Sequence, residues 1–127
     1  MEITYLDAIG LVSAQEEISK MKLPIKISLK LARAMRLARG YFEDFEKVRA
    51  KIVEDAGIIV GENLTKDQQQ HNEKLLPEAN KKLAEAATEK ITIDFEPIDL
   101  GEYSEEEIGK LSDFPVNLLE KTWWLWK

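Results

Sequence analysis

Residues 23–57 read LPIKISLKLARAMRLARGYFEDFEKVRAKIVEDAG, and they predict the longest helix of the chain. A helix boundary lies at Leu23-Pro24, because the residue before a proline avoids the helical region whereas proline suits the first helical position. Beyond Pro24 the stretch consists of residues compatible with a helix, apart from Gly40, and Gly57 supplies a C-terminal cap. The pattern therefore predicts one helix of about 32 residues, about 50 Å long.

Apolar residues cover more than one side of this predicted helix. One rough stripe consists of Ile25, Leu29, Ala32, Met35, Phe42, Phe45, Arg49 and Ile52, and a second of Ile27, Leu31, Ala34, Ala38, Tyr41 and Val48. Such a wide apolar face implies contacts on more than one side. A rod of this length also exceeds what a compact domain of 127 residues covers comfortably, so either Gly40 bends the helix or a second subunit covers part of it.

Two short segments predict strands that pair with each other. Residues 2–5 form an apolar-containing run at the start of the chain, and residues 91–97 (ITIDFEP) alternate strictly between apolar and polar side chains. Pro97 makes the second strand an edge or ends it. Together they predict a small two-stranded sheet packed against the helices.

Three capping boxes mark the starts of further helices. They pair Thr4 with Asp7, Thr65 with Gln68 and Ser104 with Glu107. A final helix is predicted near Pro115, with Asp113 as a candidate cap. The predicted fold class is α+β and predominantly helical: a long antiparallel helix pair, a small sheet and a helical C-terminal arm. We expect one domain over residues 1–127, with the hairpin and sheet in 1–100 and the arm in 101–127.

Composition excludes several classes of chemistry. The chain has no cysteine, which rules out disulfides and thiolate catalysis, and its only histidine, His71, has no companion for a transition-metal site. The six glycines form no phosphate-binding loop, and no serine lies in a nucleophile elbow. No stretch is apolar over the length of a membrane span. The sequence thus predicts no catalytic residue, no cofactor and no membrane contact.

Two acidic residues on the predicted second strand allow one metal hypothesis. Asp94 and Glu96 share a strand face, and paired carboxylates of this kind hold Mg²⁺ in some nucleases and phosphatases. The alternative is the outward face of an edge strand, where charge prevents unwanted pairing. With no lysine or histidine close by in the sequence, we favour the second interpretation and predict no metal site.

Charge is segregated along the chain. Between Ile18 and Phe42 no residue is acidic, and the basic residues are Lys20, Lys22, Lys26, Lys30, Arg33, Arg36 and Arg39. Because this segment contributes +7 to a net charge of −6, the remainder sums to −13. The acidic total makes general nucleic-acid binding improbable without excluding it.

Five of these residues are candidates for binding a partner or an anion: Lys26, Lys30, Arg33, Arg36 and Arg39. The first three lie at helical spacing, and the last two drift around the side of the helix. Three interpretations remain open. The charges pair with acidic helices of the same chain, they contact an acidic partner or neighbouring subunit, or they bind nucleic acid or a phosphorylated small molecule.

The chain ends on Thr122-Trp-Trp-Leu-Trp-Lys127, which contains all three tryptophans. On a helix begun near Pro115, Trp123 and Trp126 share a face with Val116 and Leu119, so an intrachain docking site explains them. Trp124 and Leu125 point elsewhere, and one surface of a small domain cannot bury all four. Because tryptophan is frequent among the residues that dominate interfaces, Trp123, Trp124, Leu125 and Trp126 are candidates for an oligomer interface.

The long-helix stretch resembles a segment of small proteins of unknown function encoded by tailed bacteriophages. The matching residues are Leu23, Pro24, Lys26, Lys30, Leu31, Ala32, Phe45, Glu46, Arg49 and Gly57. A looser similarity extends over NKKLAEAATEKITIDFEPIDL, so that about two thirds of the chain is covered, whereas the tryptophan-rich end departs from the pattern. The resemblance implies a phage origin among virion-assembly or early accessory genes, and it transfers no catalytic residue.

From these features we expect a non-enzymatic phage protein that acts through protein–protein contacts. The first hypothesis is a virion-assembly or structural accessory component that forms a homo-oligomer, in the host cytoplasm or the virion. The alternative is a counter-defence or host-takeover protein that binds a host protein or sequesters a nucleotide ligand through its basic helix.

Overall fold

The computed structural model describes residues 1–111 and 114–127. The elements in chain order are β1 (Glu2–Thr4), α1 (Tyr5–Ser13), α2 (Gln15–Ser19), α3 (Ile25–Asp55), α4 (Lys66–Ala87), β2 (Lys90–Thr92), α5 (Glu105–Gly109) and α6 (Val116–Lys121). Short 3₁₀ turns occupy Leu100–Glu102 and Trp123–Leu125. Two long helices, a two-stranded sheet and a helical C-terminal region confirm the predicted α+β class. Of the described helices, none combines the length and apolar character that crossing a membrane requires.

Helix α3 begins and ends where its sequence predicts. It starts at Ile25, directly after Pro24, and its 31 residues span about 46 Å without interruption at Gly40. Gly57 follows in the left-handed region with a φ of 78°, and its N–H donates to the carbonyl of Glu54. A residue with a Cβ is strained at such an angle, so glycine is required at this helix end.

The two predicted apolar stripes of α3 differ in burial. The second stripe faces the core, where Ile27, Ala34 and Ala38 are fully buried. The N-terminal part of the first stripe faces outward, with Ile25 78% and Leu29 67% exposed. The alanines let α1 pack closely onto the second stripe, because their short side chains leave room for another helix. Helix α3 continues through Gly40, and the described part of the chain leaves the N-terminal part of the first stripe exposed.

The sheet joins the first residues of the chain to the segment after α4. Strands β1 and β2 are antiparallel, with Ile3 opposite Ile91. Strand β2 is shorter than the predicted 91–97, because its partner runs out at the start of the chain, where the carbonyl of Met1 accepts from the N–H of Ile93. The predicted alternation still holds, since Ile91, Ile93 and Phe95 are all buried.

The remaining helix boundaries follow the capping signals. All three predicted capping boxes are present, at Thr4, Thr65 and Ser104. The helix that begins after Thr4 ends at Ser13, α2 begins at Gln15 after Ala14, and α4 continues through Pro77. The predicted cap at Asp113 lies outside the described residues.

Helix α6 crosses α1 at close range. A Cβ added to Gly10 would lie 3.2 Å from the carbonyl oxygen of Lys121, in the last turn of α6. This close approach depends on the absence of a side chain at Gly10. It places the C-terminal segment directly against the N-terminal helix.

Candidate functional site

The five basic candidates on α3 divide according to their partners. Lys30 Nζ lies 3.9 Å from a carboxylate oxygen of Glu102 and 5.6 Å from the ring centroid of Tyr103. Arg33 pairs with the carboxylate of Asp94 at 3.5 Å. These pairs are solvent-exposed, so each contributes about 0–1 kcal/mol to stability. For Lys30 and Arg33 the structure thus supplies acidic partners from the same chain.

Lys26 is exposed and forms no ion pair within the described residues. The pKa of the Glu107 carboxyl is lowered below its usual range, chiefly because it accepts a hydrogen bond from the backbone N–H of Ser104. The Ser104 hydroxyl is the second cause, and the charges of Lys26 and Lys110 make smaller contributions.

Arg36 and Arg39 differ from the other three candidates. Both side chains are exposed, and neither forms an ion pair within residues 1–111 and 114–127. Both line a cavity of about 750 Å³ between α3 and residues 11–23, which we call the α2–α3 groove. The two arginines are thus available to a ligand that enters this groove.

The groove has an apolar interior and a polar margin. Its apolar lining comes from Leu11, Ile18, Met21, Leu23, Leu31, Ala32 and Met35. Its polar lining comes from Gln15, Ser19, Ser28, Arg36, Arg39 and Glu43, with Gly40 between the last two. A surface that combines apolar floor and charged rim in this way is suited to an amphipathic ligand.

Sequence reasoning identified the two arginines but missed the groove around them. The groove depends on the course of α2, which separates from α1 at Ala14 and leaves Ile18 only half-buried beside α3. The amino-acid composition of the individual helices does not determine the path of α2. The signal that points toward the site is the absence of acidic residues between Ile18 and Phe42, since most of the lining comes from this segment.

A second cavity of about 740 Å³ lies beside the loop that follows β2. Its charged lining consists of Lys30, Arg33, Lys127, Asp94, Glu96, Asp99 and Glu102. Charges of both signs face one another here, and Asp94 is engaged by Arg33. Asp94 and Glu96 are exposed, and in the described part of the chain no three acidic or histidine side chains are grouped as metal ligands.

His71 and its neighbour on α4 hold the connection between α3 and α4. His71 Nε2 lies 3.0 Å from the carbonyl oxygen of Gly57. The side-chain amide of Asn72 both accepts from the N–H of Ile59 at 2.8 Å and donates to its carbonyl at 2.9 Å. These bonds explain both side chains structurally, because they satisfy backbone groups that no strand or helix satisfies.

The tryptophans at the end of the chain are placed differently from the prediction. Trp124 is 1% exposed and Leu125 is fully buried, whereas Trp123 is 54% exposed and Trp126 is half-buried. The predicted helix ends at Lys121, and a 3₁₀ turn follows, which rotates the later side chains relative to an α-helix. Because Trp124 and Leu125 lie in the core of their own chain, their side chains are not available to an oligomer interface, contrary to the prediction. An interface role for Trp123 and Trp126 stays a prediction.

No protein-family model, curated protein or solved structure matches this chain. The resemblance to phage proteins therefore remains a prediction from the residues that carry it.

Proposed function

We propose that this protein is non-enzymatic and acts through protein–protein contacts, as a virion-assembly or structural accessory component of a tailed bacteriophage. We propose further that it forms a homo-oligomer and works in the host cytoplasm or in the virion. The phage assignment is supported by the resemblance of residues 23–57. The contact function is supported by an apolar surface on α3.

That surface consists of Ile25 and Leu29, which we call the outer patch. Their exposures of 78% and 67% are among the largest of the apolar side chains in this chain. Four residues apart on one helix, they are direct neighbours and form one continuous apolar area. Isolated exposed apolar residues are ordinary, but adjacent large ones at the start of a long helix favour a contact surface.

Charge favours a second copy as the occupant of the outer patch. The patch lies inside the segment that carries +7, whereas the remainder of the chain carries −13. A second copy therefore offers an acidic surface of opposite sign, and complementary potentials speed and orient association. This contact supplies the coverage that the length of α3 requires beyond its own chain.

Native mass spectrometry tests the proposal on the full chain. We expect a dimer or larger oligomer at protein concentrations up to about 100 µM. The variant Ile25→Gln/Leu29→Gln should shift the population to monomer, whereas Val60→Gln, an exposed apolar position outside the patch, should leave it unchanged. A wild-type protein that stays monomeric throughout this range would contradict homo-oligomerisation.

The alternative function is a counter-defence or host-takeover role that includes binding of a nucleotide. It is favoured by one observation, the two guanidinium groups of Arg36 and Arg39 without ion pairs in the described residues. Guanidinium groups bind phosphates in a bidentate geometry. Calorimetric titration with ATP tests it: binding that Arg36→Gln/Arg39→Gln abolishes favours this alternative, and absence of heat at millimolar nucleotide contradicts it.

A further inference from the structure

We propose that the α2–α3 groove binds an acidic amphipathic helix of a partner protein. This inference rests on the contact function proposed above and adds the chemical class of the partner. It concerns a surface distinct from the outer patch, which is assigned to a second copy of the chain. Three properties of the groove carry it: its length, its charge and the absence of a suitable occupant in the chain itself.

The length of the groove favours a helix over a small molecule. Along α3 its lining extends from Ser28 to Glu43, about 15 residues, which corresponds to about 22 Å. A helix of about 15 residues has the same length. The interior of about 750 Å³ is lined by aliphatic side chains and by Met21 and Met35, and unbranched methionines adapt to the side chains of an inserted helix.

The charge of the groove favours acidic residues on the occupant. Most of the lining belongs to the acid-free segment, and Arg36 and Arg39 stand about midway along it without ion pairs in the described residues. Carboxylates opposite these arginines gain charge-assisted hydrogen bonds. Glu43 lies at one end of the lining, so the matching end of the occupant should carry a neutral or basic residue. The charged residues of the groove thus favour an acidic helix and one orientation of that helix.

No described helix of this chain meets these requirements from a second copy. Helix α5 is acidic but has five residues, too few to fill the groove. Helix α4 has 22 residues, but its apolar stripe, including the buried Ala79, packs against its own chain. The N-terminal half of α3 is basic and is repelled by the two arginines, and the C-terminal half is acidic but has its large apolar side chains buried or half-buried in its own chain, apart from Val48. The occupant therefore comes from a different protein.

The test uses the full chain with ¹³C-methyl methionine and a synthetic peptide of about 15 residues. The peptide carries leucines on one face and glutamates beside them, and a second peptide replaces every glutamate by lysine. The chain has three methionines, of which Met21 and Met35 line the groove while Met1 lies at the sheet and serves as an internal control. We expect the acidic peptide to shift the methyl signals of Met21 and Met35 and to leave that of Met1 in place.

Charge variants give the matched comparison. Arg36→Gln/Arg39→Gln should weaken binding of the acidic peptide by about tenfold or more, and the lysine peptide should bind more weakly than the acidic one by a similar factor. Lys30→Gln/Arg33→Gln removes two basic residues of the same helix that lie outside the groove and should leave the affinity within about twofold. Added salt should weaken binding of the acidic peptide.

Several results would overturn the inference. One is the absence of methionine shifts at about 1 mM acidic peptide. Another is an equal affinity of the wild-type protein for the two peptides. An equal affinity of the wild-type protein and the Arg36→Gln/Arg39→Gln variant for the acidic peptide would also overturn it. Concentration-dependent shifts of Met21 and Met35 without any peptide would place a second copy in the groove instead. If native oligomers form through the outer patch while the groove ignores the acidic peptide, the inference fails and the proposed contact function stands.

Discussion

The ring of Trp124 meets the ring of Phe95 edge-on, with centroids 5.8 Å apart and planes at 82°. Phe95 belongs to the segment that follows β2, so the pair ties the end of the chain to the sheet region. The contact also explains why the largest apolar side chains stand at a chain end. For Trp124 and Leu125, that end is a part of the core.

The Trp124–Phe95 contact predicts a graded response to substitution. Trp124→Ala should lower the free energy of unfolding by about 3–5 kcal/mol, because it removes a fully buried ring. Trp124→Phe should cost less than half as much, since a ring remains and the buried indole N–H, which has no hydrogen-bond partner in the described residues, is removed. Urea unfolding measures both variants. Equal losses would show that ring packing is not what Trp124 contributes.

A hydrogen bond between Trp123 and Asp7 predicts a measurable coupling. The indole Nε1 of Trp123 donates to Oδ1 of Asp7 at 2.9 Å, while Oδ2 of the same carboxylate accepts from the N–H of Thr4 in the capping box. Trp123→Phe should cost about 1 kcal/mol and Asp7→Ala about 1–2 kcal/mol, because Asp7 also caps α1. A double-mutant cycle should give a coupling of about 0.5–1.5 kcal/mol. Strict additivity would mean that the bond contributes nothing in solution.

Two glycines inside helices, Gly10 of α1 and Gly40 of α3, predict opposite responses to alanine. Gly40→Ala should stabilise the chain by about 0.5–1 kcal/mol, because a Cβ there meets open space and alanine favours the helix. Gly10→Ala should destabilise it, because the added Cβ lies 3.2 Å from the backbone oxygen of Lys121. Thermal unfolding of both variants gives the comparison. A gain in stability from both would place α6 farther from α1 than the structure has it.

The cap of α5 predicts a local dependence on pH. Hydrogen bonds from Ser104 lower the pKa of Glu107, so the folded state favours the carboxylate over the acid. This contribution is complete above the ordinary glutamate pKa of about 4.3 and is lost as the pH falls through the lower pKa of the folded state. The protection of the α5 amides, which is the factor by which their exchange is slower than the intrinsic rate at the same pH, should therefore fall in acid, while the protection of the α3 amides stays high.

Ser104→Ala supplies the control for this pH dependence. Without the serine hydroxyl, one side of the capping box is missing, and α5 should exchange faster at neutral pH as well. The difference between neutral and acidic pH should be smaller than in the wild type. An unchanged pH profile in the variant would assign the effect to another group.

Local signals in the sequence are sufficient to predict where α1, α4 and α5 start and where α3 starts and ends. Pro24 and Gly57 bound that helix because one restricts the residue before it and the other adopts a left-handed angle. Capping boxes located α1, α4 and α5 for a similar reason, since their hydrogen bonds join residues only three positions apart. The pairing of β1 with β2 was predictable because the sequence contains two predicted strands, residues 2–5 and 91–97.

Tertiary packing decided what the sequence left open. Both stripes of α3 are apolar, and the choice between them depends on which one α1 approaches, as the burial of Ala34 and Ala38 shows. The burial of the tryptophans differs from the prediction because the prediction assumes α-helical spacing beyond Lys121, where the backbone changes to a 3₁₀ turn. The arginines of the groove were identifiable from charge, but the groove was not, because it depends on the path of α2.

Photo-crosslinking of the full chain tests whether the outer patch of α3 is a contact surface between copies. A photoreactive amino acid replaces Leu29 in one purified variant and Val60, which is 80% exposed, in a control. We predict a crosslinked dimer from position 29 and almost none from position 60. Equal yields from the two positions, or no dimer from position 29, would contradict the claim.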